Sequence, residues 1–350
     1  MHKQSLIKVA FLCSVVVSLT GCRLNPFAKP QPTVAPTPRP VVRTPLPVDF
    51  ATVRPNEAGN IPILEYHQLV PDTEKVSGYK YRIGDFRNDM EKLYSLGYRP
   101  ISLSDMLHGN IDVPAGLSPV VLTFDDALPG QVDYDDSGNI TPDCAVGVLE
   151  AMHQEHPDWS LKATFFVLPR KGYSDYFFQP DYSQAKLQWL AANGFELGNH
   201  TIHHLLGIKS WPDSRVEAEF AQAKALIQQN VPGYNVDTLA LPYGVFPRNQ
   251  KLVISGSSGG VTYHNICALL AGAGPAPSPI DKKFNPYRLQ RIIPGSEKFA
   301  LLFWLTYLQQ HPNRRFISDG DPNTFTVPQQ LVGTISPARL KAFGCMERLY

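Results

Sequence analysis

Two short segments hold side chains that could do chemistry together. His200-Thr201-Ile202-His203-His204 carries imidazoles at positions i and i+4, which on a helical turn lie on one side and can grip a single ion. A catalytic zinc usually takes three protein ligands and leaves a fourth position open. The pair therefore needs a third donor, and a carboxylate at a neighbouring strand end is the natural one. Read alone, the pair fits surface or capping histidines equally well, and His203 would point away from an ion held by its neighbours. Asp125-Asp126 offers two carboxylates that leave a strand in opposite directions. One is suited to bind a metal, the other to take a proton from water. In isolation, adjacent acids at a loop start are more often a turn or a helix cap.

The elements that must position these residues follow from the apolar pattern. Strands are expected at Ile61–Tyr66, Val120–Phe124, Thr164–Leu168, Phe195–Gly198, Thr238–Leu241 and Leu289–Ile293. Helices are expected at Phe86–Leu96, Cys144–His153, Ser183–Asn193, Arg215–Gln229 and Ser296–Gln310. Phe86, Met90, Leu93 and Leu96, for example, share one helical face. Strands alternating with helices imply an α/β fold with a mainly parallel sheet, open or closed into a barrel. Four of the strands run directly into polar or turn residues: His67, Asp125-Asp126, Asn199-His200 and Pro242-Tyr243-Gly244. In a β/α barrel such strand ends converge on one face, where active sites are built.

The N-terminus reads as a processing segment. His2, Lys3 and Lys8 flank an apolar run, Val9 to Leu19, that is too short to span a bilayer. Residues 1–21 are therefore expected to be a signal peptide. The run ends in Leu19-Thr20-Gly21-Cys22, which resembles the lipobox of bacterial lipoproteins. That resemblance implies cleavage before Cys22 and a diacylglyceryl group on its sulfur; the alternative is an ordinary secretory signal with an incidental cysteine. Residues 22–58, crowded with proline up to about Pro47, read as an extended spacer. The folded domain is expected over 59–325, followed by a C-terminal tail at 326–350. The expected location is exported and lipid-anchored to a membrane, with the catalytic domain outside the cytoplasm.

Composition narrows the partners. A formal net charge of +1, with no long Lys/Arg run outside the N-terminus, argues against nucleic acid. Beyond the signal lie Cys144, Cys267 and Cys345, without a Cys-x-x-Cys pair. A thiolate zinc site is not indicated, and one disulfide with one free thiol stays open.

Taken together, Thr123-Phe124-Asp125-Asp126 and His200-Thr201-x-x-His204 resemble the first two motifs of the NodB-like polysaccharide deacetylases, carbohydrate esterase family 4. Ile61-Pro-Ile-Leu-Glu-Tyr-His67, Ala163-Thr-Phe-Phe-Val167, Gly194-Phe-Glu-Leu-Gly-Asn-His200 and Leu241-Pro-Tyr-Gly244 extend the likeness, in family order, over Ile61 to Pro294. The resemblance implies a distorted (β/α) barrel with one divalent metal, Zn²⁺ above others. It makes Asp125 the general base, Asp126, His200 and His204 the metal ligands, and the backbone N–H of Tyr243 an oxyanion donor. It implies a polysaccharide substrate that loses acetyl groups to activated water.

Three positions depart from the family's pattern. Ala127 stands where glycine usually follows the two aspartates, which matters if the backbone there needs positive φ. Ala240 replaces the arginine that helps orient the base; Arg291 or Arg288 could supply that charge, although a structural role is equally open. The Leu-x-x-His segment that carries the general acid has no match after Arg291. His67, at a strand end on the right face, is the candidate replacement, with His264 behind it and His311 poorly placed.

The insertion after Asp126 contains Asp133-Tyr-Asp-Asp-Ser-Gly-Asn139, which imitates the start of a calcium loop but has Cys144 where a bidentate acid belongs. A polar turn is the favoured reading. Tyr173, Tyr176 and Phe177 could stack on sugars or pack in the core. The leading function is a metal-dependent N-deacetylase. The alternatives are an O-acetyl esterase on an acetylated polysaccharide and a glycan-binding lipoprotein that has lost turnover.

Overall fold

Apolar runs without polar alternation become parallel strands when both faces are covered. The computed structural model describes residues 48–169, 175–204 and 206–350. In it these runs form β1 (Ile63–Tyr66), β2 (Ser118–Asp125), β3 (Thr164–Val167), β4 (Glu196–Asn199), β5 (Thr238–Ala240), β6 (Cys267–Ala273) and β7 (Leu289–Arg291). The signal segment, Cys22, most of the proline-rich spacer and Tyr173 lie outside the described residues.

All seven strands are parallel and pair in sequence order from β1 to β7. Ile292, just past β7, then donates to Ile63 O at 2.7 Å, and Glu65 N donates to Ile292 O at 2.8 Å. Those two bonds bring the last strand back to the first, so the sheet is a nearly closed barrel. An additional strand, Tyr98–Pro100, pairs with the start of β2. Helices α1 (Ile83–Ser95), α2 (Ala145–Glu155), α3 (Ser183–Ala192) and α4 (Asp213–Asn230) lie in the connections between β1 and β5, and α5 (Leu301–Gln310) follows β7. Helix α1 buries Phe86, Met90 and Leu93, the face its spacing predicts. Among the described residues no helix is long and apolar enough to cross a membrane.

The period of two along each strand sorts residues between the barrel interior and its outer, helix-covered side. Leu122 and Phe124 of β2 join Leu64, Tyr66, Phe165 and Leu197 in the layer beneath the helices. Ile63, Val121, Phe166, Ala240, Leu269 and Leu289 form the other cluster, inside the barrel. By the same parity Glu65, Thr123, Asp125 and Arg291 point inward near the strand ends. The fold thus carries four polar side chains into its own interior.

Two elements depart from the expected ones. Cys-Ala-Leu-Leu-Ala-Gly-Ala, Cys267 to Ala273, has no β-branched residue and no alternation, so its own preference is not for strand. Pairing to β5 on one side and β7 on the other overrides that preference. Helix α5 begins at Leu301 rather than Ser296, because Gly295 (φ 116°) and Phe299 (φ 70°) hold the preceding segment out of helical geometry. Among the described residues the three cysteines, Cys144, Cys267 and Cys345, are all unpaired.

Residues 326–350 build structure of their own. Thr324–Val327 pairs in parallel with Met346–Leu349, around a helix at Pro337–Phe343. Phe325, Val327, Ile335 and Leu340 are buried with the barrel-interior cluster. On the other flank, buried Glu57 accepts from Thr326 N at 2.6 Å and Asp319 N at 3.2 Å. The segment before β1 is therefore tied to the C-terminal strand.

Candidate active site

Asp125 is the last residue of β2 and points into the barrel. Arg291, the last residue of β7, meets it with two parallel hydrogen bonds, Nη1 to Oδ1 and Nη2 to Oδ2, each 2.7 Å. The guanidinium is wholly buried, yet its other N–H groups are matched. Nη1 also reaches Thr123 Oγ1 at 3.1 Å, Nη2 reaches Glu65 Oε1 at 3.1 Å, and Nε donates to Leu270 O at 2.8 Å. Glu65 in turn accepts from Gly272 N at 3.0 Å. Leu270 and Gly272 are available because the β6–β7 register shifts between Leu269 and Ala273, which frees backbone groups from the ladder. Burial alone would raise the Asp125 pKa; the adjacent Arg291 guanidinium and His200 outweigh it and hold the carboxyl below its usual range.

Asp126 turns away at once, with φ 72°, and Ala127 follows with φ 48°. Positive φ at both positions explains why glycine would suit position 127. Desolvation acts to raise the Asp126 carboxyl, but His200 and His204 keep it well below the ordinary carboxylate range. Its Oδ1 lies 3.3 Å from His200 Nε2 and 3.3 Å from His204 Nε2.

The histidines do not sit on a helical turn, contrary to the expectation from their spacing. Thr201 (φ 66°) and His204 (φ 50°) are left-handed, and the loop is held by side chains instead. Asn199 Oδ1 accepts from Thr201 N at 2.8 Å, while Glu219 Oε1 accepts from Ile202 N at 2.8 Å and His203 N at 2.6 Å. Glu219 Oε2 also takes the His203 ring, at 2.8 Å, which turns that imidazole away from His200 and His204. His200 Nδ1 lies 3.0 Å from Ala240 O. A carbonyl can only accept, so Nδ1 carries a proton, and this fixes the ring with Nε2 facing Asp126. Among the described residues that buried Nε2 has no hydrogen-bond partner.

The ligand atoms of Asp126, His200 and His204 all lie within 4.8 Å of one another. Two imidazoles and one carboxylate around a common point, with the buried His200 Nε2 aimed there, suit a divalent cation with room for a further ligand. A second group, Glu65, His67 and Asp125, is equally close-set. Both of its carboxylates already bind the Arg291 guanidinium, so it is the poorer cation site.

These residues surround a cavity of ≈ 220 Å³ lined also by Glu65, His67, Tyr79, Tyr243 and Ala271. His67 enters from the end of β1, with its Nε2 3.9 Å from Glu65 Oε1 and its ring stacked on Tyr79 at 4.6 Å. Tyr243 (φ 58°) stands in the turn after β5 with its ring edge against His204 at 4.7 Å. Each of Asp125, Asp126, His200, His204, His67, Tyr243 and Arg291 is thus brought to one place.

Other candidates fall elsewhere. Arg288 binds Gln250 Oε1 at 2.6 Å and stacks on Phe246. His264 is exposed on a hairpin strand, and His311 stacks on Tyr307 at the end of α5. Tyr176 and Phe177 are core residues. Asp135 Oδ1 accepts from Ser137 N and Asn139 N, both at 2.9 Å, which makes that segment a polar turn.

Sequence reasoning did not single out Glu65, Gln131 or Glu219. Gln131 Nε2 donates to both Asp125 O (2.6 Å) and His67 O (3.0 Å), clamping the ends of β1 and β2. Glu65 left a signal: a charge inside an apolar strand, two residues before His67 and so on the same face.

Fold and site together define a (β/α)-barrel protein with a candidate His₂–Asp cation site beside a buried Asp–Arg pair. Residues 113–256 match the family model described as polysaccharide deacetylase. No curated protein sequence matches. Among solved structures, the Streptococcus pyogenes deacetylase PplD in complex with acetate is similar at 17% identity and TM-score 0.51, covering 72% of this chain and 97% of that one. A polysaccharide deacetylase from Bacillus cereus is similar at 14% identity and TM-score 0.50, over 72% of this chain and 68% of that one. Both likenesses are of fold.

Proposed function

We propose that this protein is a metal-dependent polysaccharide N-deacetylase, exported and held to a membrane through a lipid on Cys22. The observation that carries this reading is the juxtaposition of the Asp126–His200–His204 group with Asp125, which Arg291 holds ionised. Asp126, His200 and His204 would hold the ion, and this donor set favours Zn²⁺. Such an ion, when bound, supplies Lewis acidity to the acyl carbonyl and to the attacking water.

The chain's own residues do the remainder. Asp125 accepts the proton of water as its oxygen adds to the acetamide carbon. The Tyr243 backbone N–H stabilises the tetrahedral oxyanion. His67, on the wall shared with Glu65, gives the proton to the departing nitrogen as the C–N bond breaks, releasing acetate and a free sugar amine. Arg291 replaces, from β7, the charge that Ala240 cannot provide.

Purified protein should release acetate from acetylated glucosamine polymers, and Asp125→Asn should abolish release while the metal stays bound. Unchanged release by that variant would sink the mechanism. Comparison of chitin oligomers with acetylxylan separates amide from ester hydrolysis. Sugar binding without acetate release, with zinc supplied, would instead support a glycan-binding lipoprotein, the reading motivated by the missing Leu-x-x-His segment.

A further inference from the structure

A second cavity, of ≈ 360 Å³, adjoins the one that holds the candidate metal ligands. Glu65, His67 and Tyr79 line both, so they form a common wall. Beyond that wall the second cavity is built from Val76, Tyr81, Ile293, Pro294 and Glu297. None of these residues has a part in the chemistry argued above.

Tyr79 is the distinctive member. One face of its ring stacks on His67, with centroids 4.6 Å apart and planes at 29°. The side chain is nevertheless 64% exposed, the most exposed large apolar residue in the described protein. Ile293, 44% exposed, lines the same cavity from the end of β7. An aromatic and an aliphatic surface standing open beside a reaction cavity cost free energy unless something covers them. Ser77, Lys80 and Glu297 supply polar groups around them. An apolar floor with a few polar groups at its edge matches a pyranose ring, which has C–H faces and a hydroxyl perimeter.

We infer that this cavity is a subsite for the sugar unit next to the one being deacetylated, with Tyr79 as its stacking platform. The inference rests on the deacetylase reading for its substrate class. The occupant is a glycan unit because the cavity shares its wall with the reaction site, so a polymer lying over that wall must enter both. The protein then acts on units within a chain in preference to free acetylated monosaccharides.

The test uses the full zinc-loaded protein with N-acetylglucosamine and its β-1,4-linked trimer as probes. Affinities are read by calorimetric titration, and acetate release is followed in parallel. Wild-type protein should bind the trimer at least tenfold more tightly than the monomer. Tyr79→Ala should weaken trimer binding roughly three- to tenfold, with a clearly smaller loss on the monomer, and Tyr79→Phe should restore the trimer's affinity. Equal affinity of wild-type protein for the two probes would overturn the subsite. So would equal losses on both probes in Tyr79→Ala, which would assign Tyr79 only to holding His67. Length-dependent binding without acetate release would support the subsite while sinking the deacetylase reading. Acetate release with no dependence on length would sink the subsite alone.

Discussion

Arg291 grips Asp125 through two parallel hydrogen bonds of 2.7 Å, although β1 lies between their strands on the closing side of the barrel. The inward residue of β1, Glu65, takes up the same guanidinium at 3.1 Å. One cation therefore holds two buried carboxylates, and the fork geometry of arginine makes that sharing possible. Arg291→Lys keeps the charge but cannot bridge both acids. It should lower kcat for acetate release by about 10²-fold, within the range of a general base's contribution, with little change in KM. A kcat within twofold of wild type would show that Asp125 needs no such partner.

Removing the cation entirely leaves two buried carboxylates facing each other. Arg291→Met should cost on the order of 3–5 kcal/mol of stability. Adding Glu65→Gln should return part of that loss, since one charge is then gone. Denaturant unfolding of the single and double variants measures the coupling directly. Strictly additive losses would mean that Glu65 does not share the charge.

Glu219 shapes the loop between the two histidines by binding two backbone N–H groups and the His203 ring. It touches neither His200 nor His204 through any of these bonds. Glu219→Ala should weaken zinc affinity roughly 10–100-fold, the usual effect of losing an outer support. Competition with a chromophoric chelator gives the affinity. Full zinc affinity in the variant would show that the loop holds its shape without Glu219.

Much of this site was legible because β-branched and aromatic runs end in chemically unusual residues: Phe124 before Asp125, Tyr66 before His67. Those runs fix both the strand and its end. The loop geometry was not legible, since His-x-x-x-His has the same spacing whether a helix or two left-handed residues bring the rings together. Strand β6 was hidden because Ala and Leu carry no strand preference and only its neighbours make it one. The partner of Asp125 was narrowed to Arg288 or Arg291; inward parity with Leu289 on β7 decides for Arg291, and parity is visible only once the strand's bounds are known.

Asp89, on the buried face of α1, accepts the Tyr66 hydroxyl at 2.9 Å. Desolvation pushes its carboxyl up to about 6, against roughly 4 in the unfolded chain. Between those values the folded protein keeps a proton that the unfolded chain has released. This residue's contribution to stability therefore falls as pH rises from about 4 to 6. Asp89→Asn can still accept from Tyr66 and should be more stable than wild type above pH 6, with the gap closing toward pH 4. Thermal unfolding across that range tests it; a gap independent of pH would contradict the assignment.

The C-terminal strand pair belongs to the barrel's core and should behave so. Phe325 is buried with the interior cluster, and Phe325→Ala should cost about 3–5 kcal/mol. Unfolding within 1 kcal/mol of wild type would show that residues after 323 are dispensable.

The most direct test of the central claim is the zinc content and acetate release of wild-type protein beside His200→Ala, Asp126→Ala and Asp125→Asn, each first shown to be folded by circular dichroism. Wild type should retain about one zinc per chain and release acetate; the first two variants should lose both; Asp125→Asn should keep the zinc and lose the release. Zinc retained and acetate released by His200→Ala or Asp126→Ala would contradict the account.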